Sequence, residues 1–499
     1  MKNNIAITFS LLLAFVFVAF SCIQKSKVTP PNILFICVDD LRPQTGAYGE
    51  KYMVTPNLDQ LASEGRLFNK HYAIVPTCGA SRFSMLNAVY PKTREQLENS
   101  IFRKNLKSPT TKPESLVEVL KQGGYYTVGM GKISHSGDGL IYEKTDASAP
   151  VMELPNSWDE FHYNPGNWGK GDDAILGYAG GENRQSLFRQ VPPYERGEVD
   201  DVGYPDGLMA NLAVDQLDNL KNSKKPFFLA VGFFKPHLPF TAPAKYWDLY
   251  DEQNLPLAKV QNIPENTSRA SFHNSSEFNK YEKGEERPDL DHPLSAGYSR
   301  LIRHAYFASV SYVDAQIGKV LDALKAKGLA DNTIVVIWGD HGWHLGDQSI
   351  WGKHTLSEYS LRSTLIIKAP GMKDPGKPSN AVVESIDIFP TLMELVGLRV
   401  PDFVDGKSLS NIIDDSQGRS DGIAFGYYRN GLSLRTDRYR LTRYFREQQP
   451  TIELYDYKID PHESNNVAAK RPLIVDSLMM ILKNGNSHLY EKKSVDKVQ

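Results

Sequence analysis

Asn32-Ile33-Leu34-Phe35-Ile36-Cys37-Val38-Asp39-Asp40 decides the fold class. An apolar run without alternation is what a strand buried on both faces of a parallel sheet requires; a half-exposed antiparallel strand would alternate. The run stops abruptly at two adjacent carboxylates, followed by Leu41-Arg42-Pro43. Open α/β sheets bind ligands at the carboxyl ends of their strands. Asp39 and Asp40 are therefore candidates for chemistry, set against the ordinary reading of a solvated turn. Cys37, inside the run, reads as an inert core thiol.

The same pattern recurs along the chain. A strand over 125–130 leaves through Gly131 into Lys132-Ile133-Ser134-His135. A second, over 226–232, leaves into Lys235-Pro236-His237-Leu238-Pro239-Phe240, and a third, over 333–338, into Gly339-Asp340-His341-Gly342-Trp343. Helical periodicity intervenes: a start at Thr55-Pro56, then 113–120, 208–220, 305–328 and a last large helix from Ser385 to Gly397. The fourth of these carries Val310, Val313, Ile317, Val320, Leu321 and Leu324 on one face. Strands alternating with helices predict an α/β domain, a large mixed sheet flanked by helices, with a further strand at 364–368. Residues 136–207 and 251–300 show weak periodicity and read as surface loops that rim a pocket. Beyond the turn-rich stretch 401–420 the pattern changes. Leu432-Ser433-Leu434-Arg435 and residues 439–444 alternate as antiparallel strands. Glu453-Leu454-Tyr455-Asp456, Asp460-Pro461-His462-Glu463 and a helix over 472–482 complete a smaller C-terminal α+β subdomain.

A cysteine motif lies between the first two strands: Val75-Pro76-Thr77-Cys78-Gly79-Ala80-Ser81-Arg82. Ser81 reads as the N-cap of a helix running through Phe83, Met85 and Leu86. That places Cys78 beside a helix N-terminus, where backbone N–H groups favour negative charge, with Arg82 adding a fixed positive one. An isolated cysteine is more often a buried structural thiol.

The 499 residues carry 57 basic and 59 acidic side chains, a net charge of −2, which argues against a nucleic-acid partner. Three cysteines, Cys22, Cys37 and Cys78, are too few for a disulfide framework, and no repeat of 20–50 residues is present. Lys2 and the apolar run Ile5–Phe20 read as an export signal, short for a membrane span. Ala19-Phe20-Ser21-Cys22 resembles a loose bacterial lipobox, in which the cysteine is lipidated, and a polar tether follows. The expected organisation is a signal peptide over 1–22, a catalytic domain over 23–400 and the C-terminal subdomain over 401–499. The expected location is the periplasm or outer-membrane surface of a Gram-negative bacterium, with Cys22 as the membrane attachment.

Cys78, Ala80, Ser81 and Arg82 match the Cys-x-Pro/Ala-x-Arg signature of type I sulfatases. From Asn32 through Asp460-Pro461-His462-Glu463 the chain resembles the sulfatase branch of the alkaline phosphatase superfamily, most of all the iduronate-2-sulfatase group. The resemblance implies that a maturase converts Cys78 to 3-oxoalanine (formylglycine), whose hydrate is the nucleophile. It implies one calcium ion held by Asp39, Asp40, Asp340, His341 and the modified Cys78. Arg82, Lys132 and Lys353 are expected to hold sulfate, His237 to protonate the leaving oxygen and His135 to act as base. Ala80 stands where oxygen-dependent maturases favour Pro, so the route of conversion stays open. The implied substrate is a sulfate ester on an oligosaccharide from an acidic polysaccharide, a uronate 2-O-sulfate of glycosaminoglycans or an algal ulvan unit. Two alternatives remain: a phosphonate or phosphate monoester hydrolase of the same superfamily, and an inactive glycan-binding surface lipoprotein.

Overall fold

Eight strands build the central sheet: β1 (Asn32–Val38), β2 (Arg66–Tyr72), β3 (Tyr126–Gly131), β4 (Glu160–His162), β5 (Phe227–Phe233), β6 (Thr333–Gly339), β7 (Leu365–Lys368) and β8 (Ser379–Glu384). The computed structural model describes residues 30–107, 114–142, 150–485, 487 and 489–490; the expected signal peptide and Cys22 lie outside them. The strand order is β8-β2-β7-β6-β1-β5-β3-β4, with β1 near the middle. β1 pairs in parallel with β6 from Asn32↔Thr333 to Val38↔Gly339, and with β5 from Ile33↔Phe228 to Val38↔Phe233. Within this sheet β7 alone runs against its neighbours, so the other strands all end at one edge.

The unbroken apolar run of β1 has the expected cause. Leu34, Ile36 and Val38 enter one core, and Ile33, Phe35 and Cys37 enter the other. Each such side chain, removed wholly from water, contributes about 1.5–3 kcal/mol. On the first face pack α1 (Pro56–Glu64), α4 (Pro205–Leu220) and α5 (Ala296–Ala326); on the second pack α2 (Cys78–Asn87), α3 (Leu116–Gln122) and α6 (Ile388–Leu395). Burial pushes the Cys37 thiol up to about 12, in keeping with an inert core residue. Among the described residues no helix is long and apolar enough to cross a membrane.

The C-terminal subdomain is an antiparallel meander of β9 (Ile423–Tyr428), β10 (Gly431–Thr436), β11 (Tyr439–Tyr444) and β12 (Ile452–Asp456), backed by α7 (Pro472–Gly485). Phe425, Leu434, Leu441, Leu454 and Leu478 join the second core of the main sheet. The meander is therefore an extension of that core.

Several local expectations are corrected. Ser81 is not a cap: α2 begins at Cys78 itself, after an extended Thr77, and the Ser81 hydroxyl donates to the Asp340 carbonyl. α5 starts at Ala296, capped by Ser295, whose hydroxyl accepts from Tyr298 N–H. The 136–207 stretch is mostly loop but contributes the edge strand β4. β2 breaks the apolar pattern because its polar side chains have buried partners. The Arg66 guanidinium donates to the Ile412 and Ile413 carbonyls at 2.8 and 3.0 Å, and His71 lies against Ser363 and Ser385.

Candidate active site

Parallel strands end together, and each hands on an ionisable group. β1 runs into Asp39 and Asp40, β6 into Asp340 and His341, β3 into Lys132, and β5 into the loop of His237. β2 delivers the remaining component, because the short loop after it places Cys78 at the first turn of α2. Gly79 N–H donates to Asn99 Oδ1 at 2.9 Å. A Cβ at Gly79 would lie 2.6 Å from the Asn99 carbonyl oxygen, so this tight entry excludes a side chain. At the end of β3, Gly131 adopts φ +69°, and a Cβ there would collide with the Gly232 carbonyl. That close approach turns Lys132 inward.

All of these groups are buried. Cys78 Sγ lies 3.1 Å from Lys353 Nζ and 3.3 Å from His341 Nε2. Lys353 Nζ also bonds Asp40 at 2.8 Å, and Lys132 Nζ bonds Asp39. The Arg82 guanidinium pairs with Asp340 at 2.9 Å and Asp39 at 3.3 Å, and donates to the Lys132 carbonyl. Asp40, at φ 58°, donates its N–H to Asp340 Oδ1 at 3.0 Å. His341 Nδ1 lies 3.0 Å from the Gly342 carbonyl, which can only accept, so Nε2 presents its lone pair toward Cys78. Carboxylate oxygens of Asp39, Asp40 and Asp340 lie within 4.8 Å of one another, as do donor atoms of Asp40, Cys78 and His341. Three carboxylates around one point suit a hard divalent cation that prefers oxygen.

The electrostatics fit that donor set. Burial would raise Asp39, but the charges of Lys132, His237 and Arg82 pull its carboxyl well below the usual range. At Asp40 burial wins over Lys353, and with Asp39 beside it the carboxyl rises to about 7. Burial, then the Asp39 charge, push the Cys78 thiol well above its ordinary value. An unmodified Cys78 is thus a protonated thiol and a poor nucleophile. Burial, then Lys132, lower His135 to about 3, which keeps it a neutral imidazole.

His237 sits between two cis X-Pro bonds, Lys235–Pro236 and Leu238–Pro239. Its Nδ1 lies 2.6 Å from the Leu238 carbonyl, which turns Nε2 toward Asp40 and Glu277, at 4.0 and 3.4 Å. Two residues without a role in the sequence reading shape this loop. Buried Lys235 Nζ donates to the His237 and Pro239 carbonyls, and Asp206 accepts from the Phe234 and Lys235 N–H groups. The third addition is Glu277, whose Oε1 lies 3.6 Å from Lys353 Nζ as well. Its segment is tied to the strand before Lys353 by Trp351 N–H donating to Ser275 Oγ and by the Phe278–Trp351 ring contact. Glu277 lies in a polar stretch with no motif to mark it.

The structure thus gathers Asp39, Asp40, Cys78, Arg82, Lys132, His237, Asp340, His341 and Lys353 at one centre. His135 stands at its margin, half-buried, with its N–H donating to Glu153 at 3.0 Å. Residues 31–398 match the sulfatase family model, and residues 339–486 match the C-terminal model of N-sulphoglucosamine sulphohydrolase. The chain belongs to the sulfatase family. This sulfatase is 32% identical over 403 residues to human iduronate 2-sulfatase, covering 74% of the chain and 70% of that protein. It is also 32% identical over 463 residues to a sulfatase of Formosa agariphila, covering 89% and 84%. The phosphonate monoester hydrolase of Agrobacterium radiobacter shares the fold, with TM-score 0.72 and 22% identity, covering 92% and 96%. The alkaline-phosphatase-like fold is therefore common to both chemistries, and it is the sequence relatives that mark this chain as a sulfuric ester hydrolase.

Proposed function

We propose that this sulfatase removes sulfate from oligosaccharides of acidic polysaccharides, acting at chain ends with a formylglycine made from Cys78. One observation carries the reading: buried Cys78 faces Lys353 and His341 above three convergent carboxylates. As a thiol it is protonated and poorly nucleophilic there. The hydrate of the aldehyde supplies what the thiol lacks.

One hydroxyl of the hydrate, its proton released to solvent, attacks sulfur as the oxyanion; a new O–S bond forms and the bond from sulfur to the sugar oxygen breaks. His237, as the imidazolium with Nδ1–H held by the Leu238 carbonyl, delivers its Nε2 proton to that oxygen, so the sugar leaves as an alcohol and the ring is recharged from solvent. The second hydroxyl of the hydrate gives its proton to neutral His135. The C–O bond to the bound sulfate then breaks, inorganic sulfate departs and the aldehyde re-forms. Arg82, Lys132 and Lys353 hold the sulfate oxygens and the charge that develops on them. Asp39, Asp40, Asp340 and His341 would hold a divalent cation, which we assign as calcium because the donors are mostly oxygen. When bound, it polarises sulfate oxygens and lowers the pKa of the nucleophile.

The names of the sequence relatives support a uronate-type glycan sulfate as substrate. The apolar run Ile5–Phe20 and the lipobox-like Ala19-Phe20-Ser21-Cys22 support reading the enzyme as a lipoprotein outside the cytoplasm, meeting oligosaccharides already shortened by lyases after a maturase has acted on Cys78. Digestion of heparin-, chondroitin- and ulvan-derived oligosaccharides side by side tests this. Sulfate release from chain ends of at least one, with little from intact polymer, is the expected result. Equal rates at chain interior and chain end would remove the exo assignment, and no release from any would remove the substrate class.

A further inference from the structure

One cleft of ligand size lies apart from the nucleophile. It has a volume of about 690 Å³ and lies between the loop after β1, the start of α5 and the β10–β11 hairpin. Trp343 walls it off: the Arg42 guanidinium donates to the Trp343 carbonyl at 2.8 Å, while catalytic Lys353 stacks 5.1 Å from the Trp343 ring centroid. Trp343 is itself fully buried.

The charge of this cleft is opposite to that of the chain. Eight lysines and arginines and four acidic residues line it, in a protein of net charge −2. Three of its four acids are already engaged. Asp347 pairs with Arg42 at 2.7 Å, Glu358 with Arg440 at 2.6 Å, and Asp437 with Lys70. Among the described residues no ion pair takes up Lys259, Arg303, Arg362 or Lys458, so positive charge is in excess.

Two buried polar atoms in the lining also lack partners among the described residues: Arg303 Nε and Gln44 Oε1. Arg303 and Gln44 are each 4% exposed. The amide nitrogen of Gln44 donates to the Tyr52 hydroxyl, which leaves its oxygen as the open acceptor. A buried guanidinium N–H without an acceptor and a buried amide oxygen without a donor are each costly unless something fills the site. A ligand that satisfies both, in a cavity of ligand size, carries negative charge and hydroxyl groups together.

We propose that this cleft is a second, non-catalytic binding site for a sulfated, uronate-containing oligosaccharide. Arg303 and Arg362 meet its anionic groups, Gln44 accepts from a sugar hydroxyl, and Lys259 and Lys458 line the path in. The site holds a neighbouring stretch of glycan or a second chain while Cys78 acts elsewhere. The choice of ligand class rests on the function proposed above.

The test uses the Cys78→Ala protein, which binds without turnover, titrated calorimetrically with a heparin-derived hexasaccharide at low ionic strength. Two sites are expected. Adding Lys259→Glu and Lys458→Glu weakens one of them at least tenfold and leaves the other unchanged. The same two substitutions in the protein with Cys78 intact leave hydrolysis of a small aryl sulfate unchanged, which also reports an intact fold. Single-site binding that the charge reversals remove still supports the cleft, while counting against this glycan at the active site. Binding that the reversals do not alter, or no binding at all, overturns the proposal. Failure of the Cys78-intact protein to hydrolyse aryl sulfate would instead indict the catalytic reading.

Discussion

Two buried clusters of opposite charges lie in this protein, and they are built to different ends. Beneath the C-terminal meander, Arg440 pairs with Glu358 at 2.6 Å and with Glu463 at 2.7 Å, and Arg435 approaches Glu358 at 3.3 Å. Glu463 also accepts the Glu358 N–H, and Arg440 reaches Ser433. Two guanidiniums meet two carboxylates and nearly every donor has an acceptor. Burial would lift Glu358, yet Arg435 and Arg440 pull it down to about 2. At the strand ends three carboxylates meet Arg82, Lys132 and Lys353, and there burial lifts Asp40 to about 7. The first cluster finds its partners within the chain, although burial, against the pull of Arg440, still raises Glu463, and it joins the meander to the main sheet. The second keeps a residual conflict, a protonated thiol and a carboxylate crowded by its neighbours, which a cation and an oxidised Cys78 would relieve.

The comparison is broken most sharply at Cys78. Cys78→Ala is expected to cut sulfate release by about 10⁴-fold or more while the thermal midpoint barely moves, because the residue serves chemistry rather than packing. Substantial residual turnover in the folded variant would contradict its role. Chelation comes next: activity should vanish on removal of divalent cations and return with calcium. Stoichiometric zinc in the active protein, without calcium, would show that the donor set selects another ion.

The interface cluster should behave in the opposite way. Arg440→Ala leaves two buried carboxylates short of a partner and should cost about 3–5 kcal/mol of stability, with turnover per folded molecule unchanged. Because the folded pKa of Glu358 lies below its ordinary 4.5, its stabilisation is present above that pH and is lost as pH falls toward about 2. Denaturant midpoints measured across that window, with Glu358→Gln as the flat control, would show it. The smallest expected effect is at Glu277. Glu277→Gln removes the carboxylate between His237 and Lys353 and should slow sugar sulfates about tenfold. Aryl sulfates, whose leaving groups need little protonation, should be nearly unaffected. Equal loss on both substrates would assign Glu277 a merely structural part.

Much of the site was legible in the sequence because strand ends announce themselves. The apolar runs of β1, β3, β5 and β6 each stop at the residues that converge in space, and the Cys78 motif is local. β2 escaped because Arg66 and His71 interrupt it, their polar groups paid for by partners more than 290 residues away. Glu277 escaped because its meaning depends on packing of a polar loop against the Trp351 strand, which no local pattern encodes. Alternation marks the C-terminal meander as a unit but does not reveal that its inner face shares the core of the main sheet.

The central claim is that Cys78 works as an aldehyde. Mass spectrometry of the peptide containing Cys78, from protein purified with full activity, tests it most directly. The expected result is formylglycine at position 78, in a fraction that rises and falls with specific activity across preparations. An intact thiol throughout fully active protein would contradict the account.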